Sequence, residues 1–138
     1  MSGYLALFAW SFLAATVLPL ASEPMLIVLV RTRDELTAPV LIATAGNYLG
    51  ACTTYLLARA AAQRLSPVSK AVKGHARAVA LVERFGQPAL LLSWVPIVGD
   101  AIVAVAGGVG IRFLPFSLWV IAGKLARYST VAWLAQRM

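Results

Sequence analysis

The chain has 138 residues, 61% hydrophobic and 12% charged, with a net charge of +7 and a mean hydropathy of +0.83. Soluble domains carry about 45–50% apolar and about 25% charged residues, so this composition excludes an ordinary water-soluble domain and indicates one integral membrane domain. No aromatic-rich basic module accompanies the positive charge, which argues against nucleic acid, and the single Cys52 excludes an intrachain disulfide framework.

Residues 3–22 form an uncharged run whose end is bracketed by Pro19 and Pro24. The run lacks a basic leader and the rest of the chain is equally apolar, so a cleaved signal peptide is not expected. Glu23 follows, then a short apolar stretch to Val30 and the neutral cluster RTRDE, which belongs in water or headgroups. Residues 36–58 carry no charge and suffice for a full transmembrane helix.

Arg59, Arg64, Lys70, Lys73, Arg77 and Arg84 then gather between two apolar blocks, opposed only by Glu83. Such local asymmetry marks a cytoplasmic loop. Within it, Ser66 and Pro67 read as an N-cap and first-turn proline. Residues 66–85 form an amphipathic helix on an anionic leaflet, basic on one face and valine-rich on the other. Residues 88–111 are uncharged except for Asp100, which divides them into two runs of roughly half-membrane length. Runs of that length favour re-entrant segments, with Pro96 and Gly99 opening the backbone at the turn. Residues 113–138 form the last helix, interrupted by Lys124 and Arg127.

A proline–acid pattern occurs twice. Pro19 and Glu23 recur as Pro96 and Asp100, 77 residues later, and the same register pairs Phe8 with Phe85, Gly46 with Gly123 and Asn47 with Lys124. The expected fold is all-α, an integral membrane protein of two inverted repeats. Repeat one spans 3–58 and repeat two 85–138, each a re-entrant helical hairpin plus a transmembrane helix, with the basic linker helix 59–84 between them. The hairpin tips meet near the midplane, as in transporters built from broken helices. Residues 59–84 and Arg112 then lie inside, with both termini outside.

Glu23, Asp100, Lys124 and Arg127 are left at membrane depth. Each costs about 2.5–3.5 kcal/mol there, so pairing or hydration is expected. Glu23 and Asp100 are the candidate proton-coupling acids. Lys124 and Arg127 are candidate partners for a lipid phosphate or for those acids. Asn47, Tyr55, Pro19, Pro96 and Gly99 are supporting polar and turn residues. No metal cluster and no nucleophile–base spacing is visible, so neither an enzyme nor a cofactor is expected.

LPLASE around Glu23, GNYLGACTTYLLAR at 46–59, SWVPIVGD at 93–100 and GKLARY at 123–128 together resemble the DedA family, also called the SNARE-associated or VTT-domain family. The similarity is greatest to its short YqaA-type branch. The resemblance implies two opposed re-entrant hairpins in a bacterial inner membrane. It also implies movement of phospholipid or polyprenyl phosphate between leaflets, associated with proton-motive force. Many relatives carry an acid where this chain has Ala51, and phosphate-binding arginines where it has Ser93 and Gly99. Lys124 and Arg127 are candidates to replace those arginines. A lipid flippase or scramblase is therefore the leading expectation. A small-solute or ion transporter on the same scaffold, or a non-catalytic membrane assembly factor, is the alternative. At this size a homo-oligomer that seals the site stays open.

Overall fold

A computed structural model describes residues 1–16, 22–64, 76–95 and 98–138. The turn prolines Pro19 and Pro96, and the linker from Ser66 through Lys70, Lys73 and His75, lie outside the described residues.

Every regular element among the described residues is helical: α1 (Ser2–Thr16), α2 (Glu23–Arg33), α3 (Thr37–Arg64), α4 (Ala76–Phe85), a 3₁₀ helix (Gln87–Trp94), α5 (Val98–Gly108) and α6 (Phe113–Arg137). Local chemistry sets these limits. Pro24 sits in the first turn of α2, where its missing N–H costs nothing, and Asp34 ends that helix in the left-handed conformation at φ 50°. Gly110, at φ +79°, closes α5: its N–H meets the Gly107 carbonyl at 3.2 Å while the Ile111 N–H meets the Ala106 carbonyl at 3.0 Å. That paired pattern is a Schellman stop.

α1 and α2 run back along each other. A Cβ on Gly3 would lie 3.0 Å from Leu29, and the Tyr4 hydroxyl donates to Glu35 at 3.0 Å. At the join of the 3₁₀ helix and α5, a Cβ on Gly99 would come within 2.6–2.8 Å of the Ser93 backbone. α1 packs on α3 through Gly46 and Gly50, whose absent side chains admit the Phe8 and Phe12 carbonyls.

α3 is the one described helix both long and apolar enough to cross a membrane by length and composition. It extends six residues beyond the end expected from charge. Arg59, assigned to the loop on sequence, is still helical and donates to the Tyr55 hydroxyl at 2.9 Å, one turn back. A guanidinium reaching along its own helix does not force the helix to end. The front of residues 88–111 is likewise 3₁₀, a geometry that apolar patterning does not reveal. Of the basic linker expected at 59–84, residues 59–64 continue α3 and α4 forms the far end, with Ala78 and Val82 buried and Arg77, Glu83 and Arg84 exposed.

Two apolar cores form. One joins Leu7, Leu26, Leu29, Val30, Val40, Ala43, Tyr128, Ala132 and Ala135; the other joins Ala51 and Tyr55 to α4, the 3₁₀ helix, α5, Phe116 and Val120. On α3, Val40 and Ala43 belong to the first and Ala51 and Tyr55 to the second. On α6, Tyr128 belongs to the first and Val120 to the second. Asn47 and Lys124 therefore occupy the layer between the cores, halfway along the two longest helices. Leu41, Leu49, Leu56 and Leu57 on α3, and Leu114, Leu118 and Leu125 on α6, point outward and exposed. Exposed apolar side chains along both long helices suit lipid rather than water.

Candidate functional site

The layer between the cores is polar. Lys124 is 1% exposed, and its ammonium donates to Asn47 Oδ1. Asn47 uses its amide hydrogens elsewhere, donating to the Ser11 carbonyl of α1 at 3.1 Å. One amide thus ties α1 to α3 and accepts from α6. The two residues stand 77 apart in sequence, the offset of the repeated pattern.

Arg127 lies about one turn further along α6, on the same face as Lys124. It pairs with Glu23, and this is the one ion pair among the described residues. The side chains are 15% and 19% exposed, so the pair is largely withdrawn from solvent. Only Glu23 Oε1 is engaged; Oε2 is buried without a hydrogen-bond partner. Ser11, Thr44 and Ser93 also hold buried hydroxyls without partners, and groups of this kind mark places for water or ligand atoms.

Glu23 opens α2 and Asp100 lies in the first turn of α5. Both helices have 11 residues, about 16 Å, which is half of a hydrocarbon core. Each therefore sets a carboxylate at the positive end of its dipole. The two acids do not share one partner. Asp100 is half-buried, makes no ion pair with a described residue, and lies within electrostatic reach of Lys124. The four charges thus divide into a direct Glu23–Arg127 pair, a Lys124 held by Asn47, and an Asp100 with no ion-pair partner among the described residues. Gly99 and Ser93 meet at the α5 turn, leaving no space for a Cβ at position 99. Tyr55 is fully buried and donates to the Ile111 carbonyl, remote from the polar layer.

Tyr128 completes the layer. It is fully buried, its hydroxyl lies 2.6 Å from Ser22 Oγ, and Arg127 sits 5.7 Å from its ring centroid. Ser11 Oγ is near the same hydroxyl without reaching hydrogen-bond geometry. Neither Tyr128 nor Ser22 stood out in the sequence, because a tyrosine on an apolar helix reads as core and its partner is 106 residues away.

A cleft of about 340 Å³ opens onto the ion pair. Glu23 comes from the start of α2, Trp94 and Val95 from the end of the 3₁₀ helix, and Arg127, Thr130 and Val131 from α6. Apart from the charged pair and one hydroxyl its walls are apolar, and half-exposed Trp94 stands at its mouth.

The chain is 38% identical over 130 residues to the inner membrane protein YqaA of Escherichia coli K12, covering 92% of this chain and 87% of that protein. The chain belongs to the YqaA family. The Shigella flexneri inner membrane protein YqaA matches equally well, and an uncharacterized protein of Haemophilus influenzae is 36% identical over 137 residues, covering 94% of this chain and 85% of that one. The protein is accordingly an inner membrane protein. No family model matches the chain, and no solved structure matches it.

Proposed function

We propose that this YqaA-family protein moves phosphate-bearing lipids, phospholipid or polyprenyl phosphate, between the leaflets of the inner membrane, without chemical change to its cargo. The observation that carries the reading is the Glu23–Arg127 pair at the end of an apolar-walled cleft. A guanidinium binds phosphate through two parallel N–H groups, and apolar walls suit an acyl chain. The phosphate displaces Glu23 from Arg127, and re-formation of the pair expels it. Protonation of Glu23 weakens the pair and admits the lipid, which couples the cycle to protons. Asp100 and Lys124, which form no ion pair in the resting structure, supply a second acid and cation, and Arg127 and Lys124 stand in for the arginines that DedA-type relatives carry where this chain has Ser93 and Gly99.

The same proposal reads the fold as two inverted repeats, with α1 and α2, and the 3₁₀ helix and α5, as re-entrant hairpins and α3 and α6 as the crossing helices. Two 11-residue helices with an acid in each first turn fit that duplication, as does the Asn47–Lys124 bond at the repeat offset. The exposed basic face of α4 rests on the anionic inner leaflet.

The test is reconstitution into vesicles of phosphatidylcholine with a trace of fluorescent phosphatidylglycerol, followed by dithionite quenching of the outer leaflet. Wild-type protein should expose the inner-leaflet label to quenching, while Arg127→Ala and Glu23→Gln should not. Equal quenching in protein-free vesicles, or full activity in both variants, contradicts the reading.

A further inference from the structure

The cleft at the ion pair does not end at α6. Thr130 also lines a second cleft of about 520 Å³, with Leu36, Ser129 and Trp133. The two clefts meet at Thr130, on the edge of α6 between them. At the outer end, the Arg137 guanidinium lies 4.0 Å from the Trp133 ring centroid. Trp133 is 48% exposed and Arg137 is exposed.

Ten residues separate Arg127 from Arg137, about 15 Å along a helix, or half of a hydrocarbon core about 30 Å thick. If Arg127 is at mid-depth, Arg137 is at the interface, where tryptophan and arginine are both at home. Stacking on the indole holds the guanidinium by its face, leaving its N–H edges directed away from the ring. Thr130 stands where the two clefts meet, its hydroxyl donating to the Ala126 carbonyl at 2.8 Å, and Leu36, Val131 and Trp133 supply apolar wall.

We propose that Trp133 and Arg137 form an interfacial loading site for the phosphate headgroup of a membrane lipid, and that Thr130, where the two clefts meet, marks the path from it to Arg127. The occupant is a lipid rather than free phosphate, because the groove pairs cationic ends with apolar walls. The inference rests on the lipid-transport reading for its purpose, but its binding test is separate.

Replacing Trp10, Trp94 and Trp119 by phenylalanine leaves Trp133 as the one fluorophore. This protein, in neutral detergent, is titrated with short-chain phosphatidylglycerol bearing brominated acyl chains. Trp133 should be quenched. Arg137→Ala should raise the half-quenching concentration about fivefold, the factor corresponding to the ~1 kcal/mol ascribed to one basic residue near a membrane surface. Brominated diacylglycerol, which lacks phosphate, should quench only at much higher concentration, and inorganic phosphate should not displace the lipid. An unchanged midpoint in Arg137→Ala overturns the loading site, as does diacylglycerol quenching at equal concentration. Displacement by inorganic phosphate makes it a phosphate site and overturns the lipid assignment. Vesicle transport that fails in Arg127→Ala, combined with unaltered quenching in Arg137→Ala, leaves the transport reading standing and removes this one. Intact transport in Arg127→Ala with weakened quenching in Arg137→Ala does the reverse.

Discussion

Arg127→Ala leaves the Glu23 carboxylate largely buried without its cation. Breaking a fully buried pair costs about 3–5 kcal/mol, whereas an exposed pair is worth about 0–1 kcal/mol. With side chains 15% and 19% exposed, this pair sits nearer the buried limit, so the expected loss is about 2–3 kcal/mol. Among the described residues Glu23 Oε2 has no hydrogen-bond partner that could offset the loss. Replacing both residues by neutral groups of similar size, Glu23→Gln with Arg127→Met, removes the uncompensated charge and should recover at least about half of the loss. Equilibrium unfolding in mixed micelles of the wild type, both single variants and the double variant gives the coupling directly. An Arg127→Ala protein within about 0.5 kcal/mol of wild type refutes the reasoning. Strictly additive losses in the double variant refute it equally.

The Lys124 ammonium is as buried as a side chain can be, so Asn47→Leu should cost about 1.5–3 kcal/mol, the worth of a hydrogen bond to a charged group; unfolding midpoints of Asn47→Leu and of Asn47→Leu with Lys124→Met check it, the second being the more stable. Gly50→Ala places a Cβ 2.5 Å from the Phe12 carbonyl and 2.6 Å from Ala15 Cβ, forcing α1 off α3 at a cost of about 1–3 kcal/mol, read in the same assay. Tyr55→Phe removes the hydroxyl that bonds both Ile111 and Arg59, and should lower stability by about 1–2 kcal/mol while leaving lipid movement in vesicles intact, since this contact is remote from the ion pair. In a Cys52→Ser background, single cysteines at Thr32 and Ser69 should react with impermeant thiol reagents from opposite sides of the membrane; reaction from one side contradicts the inverted topology.

The ion pair was legible because the sequence leaves few choices. Glu23 and Asp100 were the two acids expected at membrane depth, and an arginine expected at the same depth requires one of them or water. The Asn47–Lys124 contact was not legible: the 77-residue offset pairs the two positions, but it does not say that the two side chains bond to each other. What periodicity conveys is which face a residue occupies, not how tightly the helix is wound, so the 3₁₀ geometry of Gln87–Trp94 was hidden. Charge position likewise misplaced the end of α3, because Arg59 folds back onto Tyr55. Trp94, Val95, Thr130 and Val131 carry no polar signal that sets them apart from lipid-facing neighbours. They become cleft residues only when the end of the 3₁₀ helix is brought beside α2 and α6.

The central claim is that Arg127 receives a lipid phosphate inside the cleft. Trp94, which lines that cleft, reports on it directly when Trp10, Trp119 and Trp133 are replaced by phenylalanine. Titration with brominated short-chain phosphatidylglycerol should quench Trp94 at lower concentration than brominated diacylglycerol of the same chains. Arg127→Ala should abolish that difference and Arg127→Lys should reduce it, since lysine keeps the charge and loses the paired N–H groups. Equal quenching by the phosphate-bearing and phosphate-free lipids in the wild-type cleft would contradict the account.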